Sequence, residues 1–233
     1  MSIKLLEATD VASGTFSLLL VAMVAATVLQ LMGTAWVSRK WKLPLAMSGL
    51  VTLVSALYYL EASQVWQATG HMPAIYRYIA WFVTMPLQVV TLYFFVAAMG
   101  PLSTWLFWRL LVVSVVMVLA RYLGETNLMY PSFGFLIGLV AWLYILGEVF
   151  FGRMGDVSAR SANFSVHRGY FWMRLIITIG WGVYPLCYFI VGFAGGVAEN
   201  KLNIVYNLAD LVNQVAFCLT VLTASMRDSG SSR

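Results

Sequence analysis

Charge is scarce in this sequence. Of 233 residues only 10% are Asp, Glu, Lys or Arg, against 61% hydrophobic, and the mean hydropathy is +0.84. That balance excludes a soluble globule. Cysteine is scarcer still: Cys187 and Cys218 both fall in apolar stretches without metal-ligand spacing, and they read as small core residues. Phosphate loops, zinc-type clusters and serine–histidine constellations are all missing, so the expectation is a protein that is not an enzyme and holds no metal.

What is plentiful is apolar length. Seven stretches, roughly 13–37, 44–66, 74–98, 102–123, 130–152, 170–194 and 202–226, each suffice to cross a bilayer, which takes about 20 residues. The connections are too short for a second domain, so the expectation is an all-α membrane protein with one seven-helix domain over residues 1–233. Glu7 and Asp10 precede the first span, which reads as a retained helix rather than a signal peptide. The first connection carries Arg39, Lys40 and Lys42, the fifth Arg153, Arg160 and Arg168, and the tail Arg227 and Arg233. The opposite side has Lys4, Lys201 and Arg121. This asymmetry predicts an outside N-terminus and a cytoplasmic C-terminus. It also accounts for the net charge of +5, so the partner is the lipid bilayer and no nucleic acid is needed.

Two spans carry ionisable residues at depth. The seventh contains Asp210 and, at i+4 on the same helical face, Gln214. An ionisable residue inside a membrane span is costly and marks a functional site by default. In the third span Arg77, Ala80, Trp81, Thr84, Gln88 and Thr91 share one face. From the residues alone two readings of Arg77 are open: it pairs with Asp210, or it snorkels to the interface. Elsewhere Glu61 reads as close to the interface, His71 as a solvated loop residue, and Arg109 and Arg121 as interface anchors. Glu148 reads as paired or solvated near the cytoplasmic side. Gly134, Gly138 and Gly147 permit close helix contact in the fifth span. Residues 153–168 read as a mobile polar loop.

The run Tyr206-Asn-Leu-Ala-Asp210 resembles the retinal-attachment segment of microbial (type 1) rhodopsins, proteorhodopsins above all. The stretch RYIxWxxTxPLQ from Arg77 to Gln88 is similar to their helix C, and Trp181-xx-Tyr184-Pro185 to their helix F. The resemblance implies a microbial-rhodopsin-like bundle in the bacterial inner (plasma) membrane with a periplasmic N-terminus. It further implies Arg77 as a gate, Thr84 near the chromophore linkage, and Tyr184 hydrogen-bonded to Asp210. Trp81, Gln88, Gly138, Trp142, Trp181 and Tyr188 would line a pocket, with glutamine at 88 resembling the blue-absorbing type. Trp142 reads equally well as ordinary packing.

Three positions depart from that pattern. The attachment lysine falls at Gln214, the proton acceptor at Ala80 and the donor at Thr91. The chain's four lysines, Lys4, Lys40, Lys42 and Lys201, all lie outside the middle of a span. Lys201 is 13 residues from position 214, roughly 20 Å along a helix. A glutamine amide is not nucleophilic, so covalent retinal is excluded, and Gln214 is expected instead to donate to Asp210. The readings that remain are a light-independent holder of noncovalent retinal or carotenoid, or a promoter of retinal supply to another rhodopsin. Alternatives are a proton pump disabled at its lysine, or a structural subunit of a rhodopsin oligomer. A homo-oligomer (trimer, pentamer or hexamer) is the assembly that the resemblance implies.

Overall fold

The computed structural model describes residues 10–71, 74–161, 163–193 and 198–231; Lys4, Glu7 and Arg233 lie outside them. Helices α1 (Val11–Gly33), α2 (Arg39–Thr69), α3 (Ala74–Ala97), α4 (Thr104–Glu125) and α5 (Pro131–Phe151) form the first five spans. The sixth joins α7 (Phe164–Leu175) to α8 (Trp181–Phe193) through a π-helical turn, Ile176–Gly180. The seventh joins α9 (Glu199–Asp210) to α10 (Phe217–Ser231) through a second, Leu211–Ala216. All seven are long and apolar enough to cross a membrane.

Consecutive helices pack side by side, and the seventh span returns against the first, second and sixth. Polarity is turned inward. Leu57, Ile79, Val112, Val140 and Ile179 are exposed, whereas Thr52, Thr84, Gln88, Asn207 and Asp210 are buried. Lipid solvates the outer face, so only the bundle interior offers hydrogen-bonding partners. Because the spans alternate in direction, Asp10, Glu125 and Glu199 share one end of the bundle, called here the N-terminal end. Residues 34–38, 98–103 and 152–161 share the other with the last turn of α10.

Residues 153–168 are not a loop. They hold the short helix α6 (Arg153–Ala159) and the start of α7, whose Asn163 side chain accepts the Ser165 N–H at 2.9 Å. Side-chain capping of this kind starts a helix in a segment whose composition alone reads as coil. At the same end Asp228 gathers three donors: Trp41 Nε1 at 2.8 Å, Asn163 Nδ2 at 2.6 Å and Lys40 Nζ at 2.7 Å. The last turn of the seventh span is thereby bound to the starts of the second and sixth.

Glycine permits a close backbone contact between α4 and α5. A Cβ on Gly134 would stand 2.5 Å from the Ala120 carbonyl oxygen and 2.8 Å from Gly124 Cα, both backbone atoms that cannot swing aside. Gly147, by contrast, has nothing within 4 Å of that position. Gly134→Val is therefore expected to cost about 1–3 kcal/mol through overpacking, read as a lowered Tm in detergent. Gly147→Ala should leave Tm unchanged or raise it.

Candidate functional site

The buried centre begins with α9, where Asn203, Asn207 and Asp210 recur at i, i+4 and i+7 and line one inward face. Across from them α3 turns Arg77 inward. The two charges are almost sealed from solvent, Arg77 at 4% exposure and Asp210 at 1%, and Arg77 Nη1 lies 3.5 Å from Asp210 Oδ2. The snorkelling alternative is thereby set aside. Removing two such charges from water is expensive, and attraction alone does not offset it unless further hydrogen bonds satisfy both groups.

Those bonds come from five spans. Asp210 accepts from Tyr59 Oη of α2 at 2.5 Å and from Tyr184 Oη of α8. Arg77 Nη2 donates to Asn203 Oδ1 at 2.8 Å and to Asn207 Oδ1 at 2.9 Å. Asn207 in turn donates to Thr15 Oγ1 of α1 at 2.9 Å, and Asn213 Nδ2 donates to Tyr184 Oη at 2.9 Å. The Tyr206 ring covers the guanidinium at 5.2 Å. Tyr59, Asn203, Asn207 and Thr15 were not anticipated, although the polar spacing of Asn203, Asn207 and Asp210 on α9 is present in the sequence.

The second π turn changes the neighbourhood of Gln214. A π turn packs an extra residue into the helical turn, so residue 214 is rotated from where an α-helical i+4 step would put it. Its carboxamide oxygen accepts from Ser55 Oγ of α2, and it does not donate to Asp210, whose oxygens Tyr59, Tyr184 and Arg77 already occupy. Gln88 also departs from expectation: its amide donates to the Asn213 carbonyl inside the π turn, and it does not line the cavity. The two π turns meet where Gly180 lacks a Cβ and the Asn213 carboxamide takes that space. Thr84 and Ala80 are buried on the same face of α3, and Thr91 donates back to the Leu87 carbonyl at 2.7 Å.

Beside this centre lies a cavity of about 220 Å³ between α3, α4, α5, α8 and α9. Trp81, Gly138, Trp142, Trp181, Tyr184 and Tyr188 line it together with Met85, Met117 and Phe135, the last three not named from the sequence. Trp81 packs on Tyr184 at 4.8 Å between centroids, and Phe135 stacks on Tyr188 at 4.9 Å. Trp142 is also pinned structurally, its Nε1 donating to the Ile177 carbonyl at 3.2 Å in the first π turn. Arg121 is no interface anchor: its stem crosses Gly138 and its guanidinium sits 4.4 Å from the Tyr188 ring. Arg109 instead pairs with Glu148 at 2.8 Å. His71 reaches Glu199 at 2.8 Å at the N-terminal end. Among the described residues, no lysine lines the cavity and no His, Cys, Asp or Glu cluster could hold a metal.

Residues 11–227 match the family model of bacteriorhodopsin-like proteins. The chain is 37% identical over 230 residues to the blue-light absorbing proteorhodopsin of Gamma-proteobacterium Hot 75m4, covering 97% of this chain and 91% of that one. A crystal structure of a blue light-absorbing proteorhodopsin from Med12 superposes with a TM-score of 0.78 at 37% identity, over 93% of this chain and 98% of that one. The rhodopsin of Exiguobacterium sibiricum gives a TM-score of 0.82 at 29% identity, over 95% of this chain and 98% of its own.

The buried pair makes a stability prediction. Asp210→Ala strands Arg77 without a counter-charge and should cost about 3–5 kcal/mol. Tyr59→Phe removes one hydrogen bond and should cost about 1 kcal/mol. Thermal unfolding in detergent measures both, and equal losses from the two variants would contradict a charge-dominated centre.

Proposed function

The chain belongs to the bacteriorhodopsin-like family as a proteorhodopsin-like integral membrane protein, and on that footing we propose that it works without a covalently attached chromophore. The family normally binds retinal. Here the residues do not fit that attachment: position 214, where the resemblance puts the linking lysine, is a glutamine bonded to Ser55, and no lysine lines the neighbouring cavity among the described residues. The apolar part of the site does fit. Trp81, Trp142, Trp181, Tyr184 and Tyr188 still surround open space suited to a polyene.

The proposed role is therefore noncovalent binding of retinal or another carotenoid product, held for storage or for delivery to a partner rhodopsin. The observation that carries it is the persistence of the aromatic cavity beside a centre whose ionic parts are spent on one another. Ala80 and Thr91, in the positions of proton acceptor and donor, support a role other than light-driven pumping. So does Asp210, whose charge is balanced by Arg77 in place of a protonated Schiff base. The reading sets the protein in the bacterial plasma membrane with its N-terminus outside, alone or in a homo-oligomer, and assigns it no catalysis.

Addition of all-trans retinal to the purified protein should give a shifted absorption band, with all retinoid extractable into organic solvent after borohydride treatment. A borohydride-fixed adduct, or no band at all, would contradict the proposal. Gln214→Lys should create fixable colour without a light-driven pH change in vesicles. Pumping by that variant would favour a recently disabled pump.

A further inference from the structure

We propose that the ligand of this cavity is a slim apolar chain headed by a carboxylate, inserted tail first, with Arg121 holding the head at the N-terminal end. This deepens the reading of the cavity as a noncovalent site and rests on it.

The two ends of the cavity differ in kind. At the deep end, past Trp142 and Trp181, the polar groups of the next layer are spent on one another: Gln88 on the Asn213 carbonyl and Gln214 on Ser55. A polar head pushed to that end would lose its water without gaining a partner, which is strongly unfavourable. At the other end Arg121 enters from α4. Its stem occupies the space a Gly138 side chain would take, with Cγ 2.7 Å from that Cβ position. Its guanidinium lies over Tyr188 at 4.4 Å and Phe135 at 5.3 Å.

Two of the other three charges at the cavity are engaged elsewhere. Arg77 is held by Asp210, Asn203 and Asn207, and Glu199 by His71. Glu125 forms an i,i+4 ion pair with Arg121 at 3.9 Å, beyond hydrogen-bonding distance and with a side chain 39% exposed, a weak pair that a ligand carboxylate in hydrogen-bonding contact can outcompete. The planar guanidinium fork matches a carboxylate in a way that it matches neither an alcohol nor an aldehyde. The cavity's volume of about 220 Å³ falls below the roughly 300–1,000 Å³ usual for ligand pockets, which favours a single chain over a multi-ring molecule.

The test uses the full-length protein in detergent, with quenching of its tryptophans as the readout. Retinoic acid should bind at least about tenfold more tightly than retinol, the usual scale of a charge-assisted bond. Arg121→Gln should erase that preference, read as the ratio of the acid and alcohol affinities within the variant. Equal affinity for acid and alcohol in the unaltered protein would overturn the assignment of the head group while the noncovalent site stands. Binding of neither would overturn both. Since the acid-to-alcohol ratio is read on the unaltered protein, it holds even where the variant fails to fold. Palmitate separates the sources: competition with retinoic acid supports the carboxylate class and extends it to fatty acids, and lack of competition supports it for a retinoid acid.

Discussion

A guanidinium and a carboxylate held together out of reach of water set the terms for this bundle. Arg77 and Asp210 are separated by 3.5 Å, which is close enough to pair but too far to satisfy either group alone. Further donors and acceptors come from neighbouring helices: Tyr59 from α2, Tyr184 from α8, Asn203 and Asn207 from α9, and through Asn207 the hydroxyl of Thr15 on α1, while Arg77 Nη1 has, among the described residues, only its contact with Asp210. Each bond fixes the rotation of the helix that supplies it. Apolar packing in a membrane is tolerant of rotation because lipid is as apolar as the helix surface, so the polar centre contributes most of the specificity.

The π turns adapt the sixth and seventh spans to that centre. One brings Gly180 against Asn213, and the other turns Gln214 toward Ser55 and leaves the Asn213 carbonyl to Gln88. Together they seal a polar layer across the bundle, and the aromatic cavity ends on it. An apolar chamber and a charged knot therefore lie side by side with Trp81 and Tyr184 as their common wall.

Much of this was legible in the sequence. The spans announce themselves by apolar length. The inward face of α3 follows from helical spacing, and Arg77 and Asp210 are conspicuous because charge is so rare. What could not be read depends on quantities that are not local. Tyr59 and Ser55 reach the centre only because α2 packs against the seventh span. The i+4 rule failed at Gln214 because a π turn intervenes, and no residue type signals one. Residues 153–168 look like coil by composition but are organised by a capping side chain at Asn163 and by Asp228 far along the chain.

The meeting of Arg121 with Gly138 has a consequence for how such a chain can change over generations. The stem of one residue fills the space left by the other's missing Cβ, so neither site drifts freely. A lineage that enlarges residue 138 must shorten or redirect residue 121 in step, and one that loses the arginine opens a gap in the wall between α4 and α5. The two positions, 17 apart in the sequence, should be inherited as a pair.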